Sequence, residues 1–136
     1  MISRSIRMAV LLTGLTIALP ALSQLGHPAK GSWSGYWGPD EAGQRRMLLL
    51  LDWEGNEITG TINPGRNGVE IDRAVLDAST WTLTIEAAMP RNGSSGQSEP
   101  FVAEGKLENL GSWTSRRYAG TYRLGDETGT FMLTIN

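Results

Sequence analysis

The chain has no cysteine and a single histidine among its 136 residues. Without thiols there are no disulfides, no thiolate metal centre, no cysteine nucleophile and no lipidated cysteine after an apolar leader. With His27 alone, beside Pro28, a Ser–His–Asp triad has no support. Positive charge is also thin: 12 basic against 14 acidic residues give a formal charge of −2. The arginines are scattered in ones and twos, as Arg45-Arg46, Arg66, Arg91 and Arg116-Arg117. That distribution excludes a nucleic-acid stripe. No phosphate loop or dinucleotide fingerprint occurs, and after residue 30 there is no convincing helical periodicity. The reading is therefore of a non-enzyme with no cofactor and no metal.

What is present begins with a leader. Arg4 and Arg7 precede the apolar stretch Met8–Leu19, Pro20 breaks it, and Ala21-Leu22-Ser23 offers a small-x-small cleavage site before Gln24. That layout predicts a secretory signal peptide over residues 1–23, the apolar run being short for a membrane span. Cleavage would leave no transmembrane helix and place the protein in a bacterial periplasm or outside the cell. A flexible lead-in over residues 24–31 and a single domain over 32–136 complete the expected organisation.

The domain reads as strands. Side chains alternate in Leu83, Ile85 and Ala87, with Trp81 in phase, against Thr82, Thr84 and Glu86; Phe101, Ala103, Gly105 and Leu107 repeat this, as do Phe131, Leu133 and Ile135. Eight segments emerge: 32–37, 46–53, 57–62, 69–76, 81–87, 101–107, 116–124 and 130–135. The fourth changes phase near Asp72-Arg73, which predicts a bulge. Short glycine-bearing connections suit antiparallel neighbours. The fold class is thus all-β, an eight-stranded antiparallel up-and-down barrel whose first and last strands pair.

Loop lengths give this barrel two ends. Short turns at 54–56 and 77–80, with the 108–115 connection, form a floor, near which Trp33, Trp53, Trp81 and Trp113 fall; Arg116 and Arg117 lie close enough to stack on an indole and seal it. Trp33 is expected to be a buried plug. Longer loops at 38–45, 63–68, 88–100 and 125–129 frame a mouth. Trp37, Met47, Ile62, Val69, Phe101, Tyr122 and Phe131 belong to this upper half, and Trp37, Phe101, Tyr122 and Phe131 are expected at one height. Such residues fill a core or line a cavity for one small ligand; as a ligand site the candidates are Trp37, Met47, Phe101, Tyr122 and Phe131. Asp40-Glu41 and Asp126-Glu127 read as solvated turn charges at the rim. Met47-Leu48-Leu49-Leu50-Leu51 breaks the alternation. If Met47, Leu49, Leu51 and Trp53 point inward, Leu48 and Leu50 point outward as a candidate interface.

Gly31-Ser32-Trp33 resembles the Gly-x-Trp opening of lipocalins and avidin-like barrels, together the calycins. A floor tryptophan covered by a late-strand arginine is similar to the lipocalin arrangement. Glu57–Thr61 is similar to the second hairpin of avidin-like proteins, and Trp81-Thr82-Leu83 and Tyr118–Tyr122 resemble their later strands. The loop Gly38-Pro39-Asp40-Glu41 departs from them and lacks their compact Asn- and Ser-bearing biotin contacts. The resemblance implies the barrel and small-molecule binding in general. Two functions are therefore expected of this sequence: binding a small, partly apolar ligand at the long-loop end, or acting as a filled-core interaction subunit that joins a periplasmic protein partner or forms a homo-oligomer. An apolar cavity would favour the first, and a solid interior with an outer patch around Leu48 and Leu50 the second.

Overall fold

A computed structural model describes residues 27–90 and 97–136. The predicted leader and the tip of the loop after the fifth strand lie outside the described residues. The strands are β1 (Gly31–Gly38), β2 (Arg45–Glu54), β3 (Glu57–Ile62), β4 (Val69–Asp77), β5 (Thr82–Pro90), β6 (Ser98–Glu108), β7 (Arg117–Leu124) and β8 (Glu127–Ile135). Each pairs antiparallel with its neighbour in sequence, and β1 pairs with β8, so the sheet closes. The architecture is an all-β, eight-stranded, up-and-down barrel, compatible with the calycin form. The expected bulge is present as a register shift between Ile71 and Arg73.

Several strands run further than their sequence suggested. The fifth and sixth extend through Ala88↔Pro100, Met89↔Glu99 and Pro90↔Ser98. Proline has no N–H to give a ladder, but near a strand end only its carbonyl is needed, and the Pro100 carbonyl accepts the Gly125 N–H at 3.0 Å. The last connection shrinks to Gly125-Asp126, with Gly125 at φ +61°. The first connection also shortens, to residues 39–44, so the mouth loops are shorter than expected at three of four places.

The interior is filled in layers. A side chain placed on Gly120 would collide with the Glu104 carbonyl, and one on Gly105 would lie 2.8 Å from Phe131 Cζ. These two glycines pair directly across β6 and β7. Their bare backbones let the Phe131 ring lie over them and meet Tyr118 at 4.7 Å.

The floor is built on Trp33, which is fully buried. Its indole N–H donates to the Ala29 carbonyl at 2.9 Å, and Tyr118 packs edge-on at 6.3 Å. The buried Tyr118 hydroxyl donates to the Leu83 carbonyl at 2.8 Å. From His27 onward the lead-in lies against this floor: Ala29 is fully buried, and the Arg116 guanidinium donates to the carbonyls of Pro28 (2.8 Å) and Leu110 (2.6 Å). Arg116 is itself buried and its guanidinium stacks 4.0 Å from the centroid of the exposed Trp113 ring. The expected arginine–indole seal is therefore made on Trp113.

Two tryptophans depart from the inward face assigned to them. Trp53 is 37 % exposed, because β2 outruns the barrel floor at that point; its ring meets His27 at 5.0 Å. Trp81 is 36 % exposed and has φ +58°, so its left-handed backbone turns the side chain out of phase with Leu83 and Ile85 just before β5 begins.

Trp33→Ala should destabilise the protein by about 3–5 kcal/mol, the range for truncating a buried aromatic, read from the urea unfolding midpoint. A loss below about 1 kcal/mol, typical of a surface site, would contradict its role as the plug. Gly120→Val should cost about 1–3 kcal/mol or more through overpacking against the β6 backbone, and neutral behaviour in the same assay would contradict the close approach.

Candidate functional site

The upper end of the barrel gathers most of the predicted site residues. Trp37, Met47, Phe101, Tyr122 and Phe131 are all buried. Trp37 meets Phe101 at 5.6 Å and Tyr122 at 4.9 Å, and Phe101 stacks on Tyr122 at 6.0 Å. Phe131 does not join them at that height. It pairs in register with Trp37, yet its ring leans down over the Gly105–Gly120 pair onto Tyr118. Met47, Phe101 and Phe131 line an apolar void of about 10 Å³. That volume is about the smallest that admits one water, so the barrel core is packed. Ile62 is buried among the same residues, and Val69 packs half-buried at the margin.

Two charged residues complete the mouth. Arg45 is the register partner of Trp37, and its guanidinium lies over the Trp37 ring, 3.9 Å from the centroid. Its Nη2 donates to Glu127 Oε2 at 2.5 Å and approaches the Tyr122 hydroxyl at 3.4 Å. The Tyr122 hydroxyl donates to the same Glu127 oxygen at 2.5 Å. Burial and the Glu127 carboxylate push the Tyr122 phenol up to about 12. The cluster is a half-buried polar lid on an aromatic layer. Two donors in it, Trp37 Nε1 and Arg45 Nε, are buried and find no acceptor among the described residues.

Sequence reasoning missed Arg45 and Glu127 as functional candidates. It began β2 at Arg46 and β8 at Thr130, leaving both in loops, and it read Asp126-Glu127 as solvated. The signal was strand parity: Arg45 is in phase with Met47, Leu49 and Leu51, and Glu127 with Phe131, so each faces inward once its strand is extended. Asp40 does behave as a turn charge, accepting the Gly43 N–H at 2.8 Å.

A second candidate lies on the outside of β8, β1 and β2. Leu48 and Leu50 point outward as expected; Leu50 is exposed and Leu48 half-buried. The register extends them into a strip. Tyr36, 48 % exposed, pairs with Met132, 50 % exposed, and sits diagonally from Leu48 across the small Ser34. Arg46, opposite Tyr36, places its guanidinium 5.6 Å from that ring.

Among the described residues no helix is long and apolar enough to cross a membrane, and no three His, Asp or Glu side chains converge as a metal site would require. Comparison with family models, with curated proteins and with solved structures finds no match.

Removing the Tyr122 hydroxyl has a pH signature. An unfolded tyrosine ionises near pH 10. Between about pH 10 and the folded value of about 12, the unfolded chain has shed a proton that the native state keeps, so stability falls as pH rises. Burial and Glu104 raise the Tyr118 phenol as well, adding a decline of the same sign. Tyr122→Phe should cost about 1–3 kcal/mol at neutral pH and flatten part of the alkaline decline in urea midpoints measured at pH 9 and pH 11. An equally steep decline in the variant would contradict the lid network.

Proposed function

We propose that this protein is an exported, non-catalytic, calycin-like barrel that works as an interaction module, presenting its outer wall to a protein partner or to a second copy of itself. The observation that carries this reading is the packed interior, whose apolar void is only about 10 Å³. A barrel whose described interior leaves so little free volume offers its surface. The strip of Met132, Tyr36, Leu48 and Leu50 supports the same reading, since it gives β8, β1 and β2 a contiguous apolar stripe with Arg46 and small hydroxyl residues beside it. Aromatic, methionine and arginine side chains are the types enriched in interface cores. Export rests on the leader pattern of residues 1–23.

Leu48→Lys combined with Leu50→Lys should abolish self-association or partner capture, seen as a lower mass in sedimentation or native mass spectrometry of protein from its own host. The β-sheet circular dichroism should stay unchanged. Equal masses for wild type and variant, both monomeric and both free of partner, would overturn the reading.

One observation favours a second function, binding of a small, partly apolar molecule at the mouth. Trp37 Nε1 and Arg45 Nε are two buried donors without an acceptor among the described residues, and a ligand oxygen could supply one if the Arg45 lid swung aside. On this reading Trp37, Phe101 and Tyr122 form the contact surface, with Met47 and Phe131 beneath. Apolar probes should then quench or shift tryptophan fluorescence, and Trp37→Leu should weaken both the response and the affinity. A flat fluorescence titration, with an empty protein in native mass spectra, would discard the mouth site and leave the outer wall.

A further inference from the structure

The barrel wall has one weakly closed seam. β2 pairs with all six residues of β3, from Glu57 to Ile62. On its other side β3 pairs with β4 only at Thr61↔Glu70 and Ile62↔Val69. From Ile71 onward β4 pairs only with β5, across the bulge. Below Gly60 the two strands therefore share no ladder, and a groove of about 300 Å³ lies between them. Its walls include Glu57, Ile58 and Thr59 on one side and Asp72, Ala74 and Val75 on the other.

Strand parity decides what faces this groove. Glu54 and Glu57 close the two-residue turn Gly55-Asn56, with Gly55 at φ +61°. Residues of odd number in β3 thus direct their N–H and C=O groups to β2. Just past the strand, Asn63 continues that parity, its N–H donating to the Leu48 carbonyl at 2.7 Å. Ile58, of opposite parity, directs its N–H and C=O toward β4, where no ladder partner meets them. Unpaired strand edges of this kind template another extended chain.

The groove also has a chemistry. Ile58 and Ala74 are half-buried and Val75 is 46 % exposed, which gives apolar contact. Glu57 and Asp72 stand on the walls as exposed carboxylates, with Glu54 and Glu70 nearby in the strands. The one basic wall residue, Arg73, is matched by Glu86 at 3.8 Å. An acidic edge disfavours a second copy of the same edge and favours a basic occupant.

We propose that the open seam between β3 and β4 is a strand-docking site for a short, extended, basic segment of a partner polypeptide. The segment would add its backbone to the edge at Ile58, place its apolar side chains inward against Ala74, and set the alternating lysine or arginine side chains outward along Val75 beside Glu57 and Asp72. This site is on a different part of the wall from the Leu48–Leu50 strip and stands independently of it.

The test uses the full chain and, as probe, the capped peptide Lys-Val-Lys-Val-Lys-Val-Lys. Saturable binding is expected, with amide exchange slowed at least tenfold at Ile58 and across Asp72–Val75. N-methylation of alternate peptide amides should weaken binding at least tenfold, because it removes the strand hydrogen bonds and leaves the charge. Glu57→Lys with Asp72→Lys should do the same, whereas the Leu48→Lys, Leu50→Lys variant should bind as wild type does. Absence of binding, equal affinity for the methylated peptide, or protection elsewhere on the barrel would each overturn the proposal; the first two are read on wild type alone. A dimer in sedimentation with the seam protected before any peptide is added would make a second copy the occupant and would overturn it too.

Discussion

Gly105 and Gly120 face one another across β6 and β7, and the ring of Phe131 lies over the pair. That contact sets how the rest of the interior packs. Eight strands enclose just enough room for side chains, and the glycines cede their share of it to aromatic rings. Phe131 is drawn down onto Tyr118, Tyr118 packs against Trp33, and the void left in the middle is about 10 Å³. Once the middle layer is closed in this way, what chemistry remains lies at the two ends and on the outer wall.

The two ends use one device with different partners. At the floor, Arg116 stacks on Trp113 and satisfies the carbonyls of Pro28 and Leu110, which ties the lead-in beneath Trp33. At the mouth, Arg45 stacks on Trp37 and meets a carboxylate and a phenol. A guanidinium can cover an aromatic face while its edge makes hydrogen bonds. Carbonyl partners on the chain fix the floor. The mouth lid instead rests on two side chains, Glu127 and Tyr122; it leaves Trp37 Nε1 and Arg45 Nε without an acceptor among the described residues, where the floor leaves only Arg116 Nε. That difference is why the mouth keeps a ligand reading while the floor reads as structure.

The wall is equally uneven. Over β8, β1 and β2 the ladders are long, and the outer face carries Met132, Tyr36, Leu48 and Leu50. Over β3 and β4 the ladder stops after two residue pairs, beside a bulge. The first region offers side chains on an intact sheet, and the second offers backbone at an incomplete one. Proteins recognise such surfaces by different means, one through hydrophobic burial and the other through strand addition.

The order of strands, their antiparallel pairing, the bulge at Asp72 and the burial of Trp33 were legible in the chain, because period-two alternation and glycine turns are local properties. The outward setting of Leu48 and Leu50 followed from the same alternation. What tertiary structure alone decided was register and reach. Tyr36 joins the leucines with Met132 only through pairings between distant segments, and Phe131 leaves the mouth only because two glycines from other strands make room for it. Arg45 and Glu127 carried the inward phase in their positions, yet residues 82 apart become an ion pair only when β1 closes the barrel between β2 and β8. Trp53 and Trp81 obeyed no rule visible locally: one overshoots the floor, and the other sits on a left-handed backbone. Alternation assigns a side chain to a face; whether another strand, a loop or solvent lies beyond that face depends on contacts made far along the chain.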